Sequence, residues 1–165
     1  MRALLLGRFQ PFHNGHLKVV KDISKDAEYL IIAIGSAQYS HSKENPFTAG
    51  ERYTMITKAL KIEGIDNYHI VTIEDLHRYA AWVSHVVSNT PKFDVVYAHN
   101  PLNLRLFKEA GFKVVKLRLH HPDKYSGTEI RKRMMEGKEW KNLVPKEVAE
   151  VIDEINGVER LKDIM

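Results

Sequence analysis

The chain has 165 residues, 44% hydrophobic and 28% charged, which suits one globular domain with a proper core. It contains no cysteine, so disulfides, thiolate metal sites and cysteine nucleophiles are excluded, in keeping with a reducing interior. The net charge of +4 is uneven: residues 104–141 hold 11 Lys or Arg against 5 Asp or Glu, and residues 146–165 hold 3 against 6. A basic stretch suits nucleic acid, a polyphosphate ligand or a solvated face. No aromatic-rich RNA signature or recognition-helix pattern accompanies it, so nucleic acid is not expected as a partner. Apolar runs such as residues 29–34 are far too short to span a bilayer, and the first residues run directly into a strand, leaving no room for a signal peptide. A cytoplasmic location without membrane contact is expected.

The apolar run Ala3-Leu4-Leu5-Leu6 predicts a buried first strand at about 2–7, followed by a helix at about 15–25. A second strand at 29–34 leads through a loop to Thr48-Ala49-Gly50-Glu51, the pattern of a capping box. The helix it opens is expected to run to about Ile62 and to end at Gly64. A third strand is expected at 68–73, a helix at about 79–88 ending before Pro91, and a fourth strand at 94–98. A helix at about 102–110 and a fifth strand at 113–117 follow. Ser126-Gly127-Thr128-Glu129 has the pattern of a second capping box, opening a helix to about Glu136. Two short helices then cover about 145–155 and 158 to the end. Apolar strands alternating with helices predict an α/β fold with a doubly wound parallel sheet. One domain is expected over 1–165, with a Rossmann-like core at 1–125 and a phosphate-binding helix with a helical C-terminal cap at 126–165.

Neither Gly-x-x-x-x-Gly-Lys-Ser/Thr nor Gly-x-Gly-x-x-Gly occurs, so a phosphate ligand must be held some other way. The turn Gly7-Arg8-Phe9-Gln10-Pro11-Phe12-His13-Asn14-Gly15-His16 lies where an α/β fold binds ligands. The helix it opens carries partial positive charge and free N–H groups at its N-terminus, which favours an anion. His13 and His16 can donate to phosphate oxygens there, and Gly15 is expected to let a ligand approach the backbone. Metal ligation by the two histidines is disfavoured, because no third ligand is evident nearby. A second candidate is Tyr125-Ser126-Gly127-Thr128-Glu129-Ile130-Arg131, with hydroxyls at a helix N-terminus and Arg131 about one turn inside. The two segments are expected to make opposite walls of a polyphosphate site. His120-His121-Pro122 reads as a surface turn, His41, His69 and His85 as structural or exposed, and Trp140 as core.

These two motifs resemble the His-x-Gly-His nucleotidyltransferase superfamily. More narrowly, the chain is similar to the archaeal nicotinamide-nucleotide (NMN) adenylyltransferase family, in order and over nearly its whole length. Gly35-Ser36-Ala37-Gln38, residues 45–52, Trp82-Val83, Asn100-Pro101-Leu102 and residues 152–160 share in the likeness. The resemblance implies five parallel strands ordered 3-2-1-4-5, with ligands at the reversal between strands one and four. It implies condensation of ATP with NMN to NAD and pyrophosphate, with Mg2+, in a homo-oligomer of hexameric type. Catalysis would fall to Arg8, His13, His16 and Arg131. ATP would be bound by Gly7, Arg8, Phe9, His13, Gly15, His16, Asn100, Tyr125, Ser126, Thr128 and Arg131. Gly35, Ser36 and Trp82 would meet the acceptor, and no residue is singled out as a metal ligand. Trp82 could equally be a core tryptophan of an amphipathic helix. The chain departs from the family pattern at His99, where a glycine is expected, and over residues 75–80, which include His77 and Tyr79.

A phosphate monoester has its second pKa near ~6, so the acceptor phosphate is mostly a dianion at neutral pH and needs no base to attack the ATP α-phosphorus. That fits the lack of a nucleophile–base pattern. Other acceptors, such as nicotinic acid mononucleotide, phosphopantetheine or a flavin nucleotide, and a non-catalytic nucleotide-binding regulator, remain alternatives on sequence grounds.

Overall fold

The structure, a computed structural model, describes residues 1–118 and 121–165. Five strands form one parallel sheet: β1 (Arg2–Gly7), β2 (Tyr29–Ile34), β3 (Tyr68–Thr72), β4 (Val95–Ala98) and β5 (Lys113–Lys116). Their order is β3-β2-β1-β4-β5, as the resemblance implied. From β1 the chain winds outward through β2 to β3, then returns to β1's other side for β4 and β5. Among the described residues the α-helices are α1 (Asn14–Ser24), α2 (Ala49–Ile62), α3 (Trp82–Ser88), α4 (Pro101–Glu109), α5 (Gly127–Glu136), α6 (Lys146–Glu154) and α7 (Gly157–Asp163). Among the described residues no helix is long and apolar enough to cross a membrane.

The chain forms two compact units that alternate along the sequence. The sheet unit comprises residues 1–8, 19–37 and 67–118. Its central strands are buried on both faces, which is why they read as continuous apolar runs: Ala3, Leu4, Leu30, Ile31, Ile32 and Ala33 are all fully buried. On one face Leu4, Ile31, Ala33, Ile73 and Val96 pack with Val86 of α3 and Phe93 and Phe107, the last on α4. Three aromatic rings, Phe93, Phe107 and Phe112, close this core in mutual contact.

The strand ends fall one residue short of expectation at three places. Ile73 lies beyond β3 yet donates to the Ile34 carbonyl (2.8 Å), and Leu117 lies beyond β5 yet donates to that of Ala98 (3.0 Å). Asp94 precedes β4 and donates to the Arg2 carbonyl (2.8 Å), while its carboxylate accepts from the Arg2 backbone N–H and guanidinium. The ladder bonds therefore extend past the regular strand. The helix expected at 79–88 is also divided, into a 3₁₀ turn Tyr79–Ala81 and α3, because Ala81 N–H bonds back only to Arg78.

The helical unit comprises residues 9–18, 38–66 and 121–165. α2 packs on α6, α5 on α7 and α6 on α7. Trp140, expected as core, is buried here together with Leu143, Val148 and Ile152. The capping box at α2 forms as expected: Glu51 N–H donates to Thr48 Oγ1 (3.0 Å) and Thr48 N–H to Glu51 Oε1 (2.8 Å). Arg160 of α7 adds a bidentate pair to the same carboxylate (2.7 and 2.9 Å) and donates to the Pro46 carbonyl (3.0 Å). Burial would push the Glu51 carboxyl up, but the Arg160 and Thr48 donors outweigh it and hold the carboxyl below its ordinary value. Arg52, fully buried, donates to the carbonyls of Thr48 (3.2 Å) and Tyr39 (3.5 Å).

The second expected capping box forms only in half. Glu129 N–H donates to Ser126 Oγ (3.1 Å), but the Glu129 carboxylate turns along the helix to pair with Arg133 at 3.0 Å. An i,i+4 ion pair on the helix surface competes with the return bond and prevails.

The Glu51–Arg160 pair should be worth about 2 kcal/mol in a double-mutant cycle of Glu51→Ala and Arg160→Ala, between the values of exposed and fully buried pairs. Glu51→Ala should cost more than Arg160→Ala, because it also breaks the capping box. Chemical denaturation of the four proteins at pH 7 measures both, and a coupling near zero would contradict this latch.

Candidate functional site

β1 ends at Gly7, and the chain leaves the sheet unit after Arg8. The turn that follows is built around His13, which is 3% exposed and occupies the position before the first helical residue of α1. Its Nδ1 accepts from the backbone N–H groups of Gly15 (3.1 Å) and His16 (3.3 Å), while Leu17 N–H donates to its carbonyl (3.0 Å). His13 is thus a histidine N-cap, its ring nitrogen standing where a serine or aspartate oxygen commonly sits. His13 N–H donates in turn to His16 Nδ1 (3.1 Å).

These bonds fix the chemistry of both rings. A ring nitrogen that accepts N–H bonds carries no proton, so each imidazole is neutral and bears its hydrogen on Nε2. The rings stack with centroids 3.6 Å apart, and Phe9 and Phe12 pack on His16. Burial lowers the His13 pKa from 6.5 to about 4. Burial, and then the neighbouring His13, hold His16 well below its ordinary value. The partial positive charge of the α1 N-terminus acts in the same direction. The pair therefore offers two fixed Nε2–H donors.

Gly15 also serves the packing of the turn itself. A Cβ there would lie 2.9 Å from His13 Cε1 and 3.2 Å from Tyr125 Cβ. The space that glycine leaves is filled by the capping imidazole and by Tyr125, so the glycine makes room for the cap.

α5 supplies the second set of expected residues. Ser126 caps it, Thr128 lies in its first turn, and Arg131 is 7% exposed in its second. Arg131 Nη1 donates to the Gln10 carbonyl at 2.8 Å, and Nη2 lies 3.5 Å from Thr128 Oγ1. The two segments expected to face one another are thus directly bonded. Lys132 is exposed. Two residues of this arrangement escaped the sequence reading. Gln10, 2% exposed, pairs through its carboxamide with the Phe47 carbonyl and N–H, both at 2.9 Å. Gly127 passes so close to Arg131 and Gln10 that a Cβ would lie 2.6 Å from Nη1 and 3.1 Å from the Gln10 oxygen. Neither shows in a periodicity, since both act through backbone contacts between distant segments.

The helical unit thus brings together Phe9, His13, Gly15, His16, Tyr125, Ser126, Thr128 and Arg131. The remaining expected residues belong to the sheet unit. Gly7 accepts from Gly35 N–H (2.8 Å) at the ends of β1 and β2, and Arg8 is exposed. Ser36, at φ 48°, donates to Asp75 (2.7 Å), a partner the sequence did not reveal. Asn100 caps α4 by accepting from Leu102 N–H (2.8 Å), with Pro101 as the first helical residue. Trp82 is half-buried against the sheet core, and its indole N–H donates to Asn103 (2.8 Å). Among the family departures, His99 is exposed, His77 has φ 57° and Tyr79 is largely exposed. His41 and His69 are exposed, and His85 meets the Glu74 carbonyl at 3.0 Å. His121 lies in a surface turn, while His120 lies outside the described residues. Among the described residues no cluster of three His, Asp or Glu has the arrangement of a metal cage.

Residues 4–133 match the family model described as cytidylyltransferase-like. A nicotinamide-nucleotide adenylyltransferase of Methanolobus tindarius is 56% identical over 163 residues, covering 99% of this chain and 94% of that protein. One of Archaeoglobus fulgidus is 55% identical over 169 residues, covering 99% and 97%. The fold is shared with a bifunctional NMN adenylyltransferase/ADP ribose pyrophosphatase of Francisella tularensis, at a TM-score of 0.76 and 21% identity. That match covers 98% of this chain, which spans about half (52%) of the Francisella protein.

The depressed His13 pKa has a consequence for stability. Between pH 6.5 and about 4 the unfolded chain binds a proton on this ring and the folded chain does not. Stability is therefore complete above pH 6.5 and falls as the pH drops through that window, by on the order of 3 kcal/mol for this ring. His13→Asn keeps a capping oxygen and removes the titration. Denaturation at a series of pH values should give a flatter curve for His13→Asn than for the unsubstituted chain over that range. Parallel curves would contradict the neutral, capped His13.

Proposed function

The chain belongs to the cytidylyltransferase-like family and, within it, to the nicotinamide-nucleotide adenylyltransferases, and from that premise we propose that it condenses ATP with NMN to give NAD and pyrophosphate. The observation that carries this reading is the pair of neutral imidazoles with hydrogens fixed on Nε2, at a helix N-terminus bonded through Gln10 to a buried arginine. That combination suits a phosphate chain that gains charge during reaction.

The acceptor phosphate dianion attacks the α-phosphorus in line, the bond to the bridging oxygen breaks, and pyrophosphate leaves with the electron pair. The protein's part is positioning and neutralising charge. His13 and His16 donate through Nε2–H to phosphate oxygens as charge builds. Arg131, whose guanidinium has five donors, holds the β- and γ-phosphates, with Ser126 and Thr128 at the same helix end. Arg8 and Asn100 contribute to ATP binding, as do the backbone at Gly7, Phe9 and Gly15 and the ring of Tyr125. Gly35, Ser36 and Trp82 serve the acceptor. Magnesium belongs to this reading as the counter-ion of the ATP substrate, where it would neutralise phosphate charge. A cytoplasmic location and a hexameric homo-oligomer complete the proposal.

Incubation with ATP, magnesium and NMN should yield NAD and pyrophosphate in equal amounts, and no turnover by folded protein would contradict the proposal. A panel with nicotinic acid mononucleotide, phosphopantetheine and flavin mononucleotide, compared by kcat/KM, fixes the acceptor. His16→Ala should lower kcat about 10²–10³-fold with a much smaller change in KM for ATP, since its donor acts mainly on developing charge. Arg131→Ala should weaken ATP binding strongly, Arg131→Lys should recover part of it, and Lys132→Ala should leave it unchanged, as calorimetry would read.

A further inference from the structure

We propose that Gln10 is a positioning residue that sets where the Arg131 guanidinium lies with respect to the histidine turn. The inference rests on the reading of Arg131 as a phosphate-binding side chain and goes beyond it. Three segments of the helical unit meet at Gln10. Its carboxamide is saturated by Phe47, donating to that residue's carbonyl and accepting from its N–H. Phe47 immediately precedes the Thr48 cap of α2, so the clamp fixes Gln10 against a rigid helix start. Its backbone carbonyl, held in place by that clamp, accepts from Arg131 Nη1 at 2.8 Å. Three residues further on is His13, whose ring caps α1.

The fit at this junction is tight. Gln10 and Arg131 are both buried, and Gly127 has no room for a Cβ because Arg131 Nη1 would lie 2.6 Å from it. A guanidinium is planar and its donors point in fixed directions. One donor anchored on the Gln10 oxygen therefore sets the orientation of the others. Without that anchor the side chain regains rotamer freedom, which must be lost again when a polyphosphate binds. Gln10 thus acts on the ligand through Arg131, with no contact of its own required.

Two variants separate this role from a general structural one. Gln10→Met keeps the volume and the backbone carbonyl but removes the clamp on Phe47. Gly127→Ala leaves the clamp intact and displaces the guanidinium. ATP affinity is measured by calorimetry for each, alone and combined with Arg131→Ala, on protein verified as folded by circular dichroism. Each variant should weaken ATP binding about tenfold, the order expected when a charge-assisted bond that orients the guanidinium is lost. In the Arg131→Ala background the same substitutions should have little further effect, because the group they position is gone. Equal losses in both backgrounds, or no loss in either, would overturn the proposal. If Gln10→Met does not fold, Gln10→Asn, whose carboxamide is too short to reach Phe47, takes its place in the same cycle. NAD formation by the unsubstituted chain is assayed alongside. A chain that binds ATP but makes no NAD contradicts the proposed reaction and leaves the affinity test of Gln10 standing.

Discussion

The acceptance of two backbone N–H groups by His13 Nδ1 sets the character of the histidine turn. An imidazolium cannot accept there, so the cap demands a neutral ring, and burial presses the same way. The proton is left on Nε2, the nitrogen that faces away from the helix start. His16 repeats the logic one step on, with its own Nδ1 satisfied by His13 N–H. Capping is commonly a stability device worth about 1 kcal/mol. Here it also fixes which nitrogen donates. The glycine between the two histidines follows from the cap, since a side chain at Gly15 would collide with the capping ring.

A neutral donor has an advantage in phosphoryl chemistry. It needs no proton uptake to be competent at pH 7, and it does not hold the ground-state triphosphate as tightly as a full charge would. Interactions that strengthen as charge develops raise the rate, and those equally strong throughout serve binding. The division of roles proposed for the histidines and Arg131 follows that distinction. The arginine is permanently charged and anchored on a carbonyl, suited to holding. The imidazoles are polar and fixed, suited to stabilising what forms.

Much of this was legible in the sequence, and the parts that were not have a common cause. The five strands announce themselves because both faces of the central ones are buried, and the apolar runs are correspondingly unbroken. The α2 capping box is local chemistry within four residues and formed as read. The Ser126–Glu129 box has the same pattern, yet Arg133 claimed the carboxylate, a competition that only the surrounding helix surface decides. The two histidines and Arg131 stand out because their residue types are costly to place without purpose. Gln10, Gly127, Asp75 and the buried Arg52 do not, because the groups they meet, the Phe47 backbone, the Arg131 guanidinium, the Ser36 hydroxyl and the Thr48 and Tyr39 carbonyls, leave no signature in the local pattern. A glutamine that clamps residue 47 looks, in the chain, like any other glutamine.

The state of the two rings can be observed directly. In protein labelled with 15N at histidine, two-bond proton–nitrogen correlations at pH 7 separate the neutral Nε2–H form, the Nδ1–H form and the imidazolium. Both His13 and His16 should show the Nε2–H pattern, keep it when the pH is lowered to 5, and show a downfield Nε2–H proton when ATP is added. An imidazolium at pH 7, or a proton on Nδ1 of either ring, would contradict the capped, neutral donor pair on which the proposed chemistry depends.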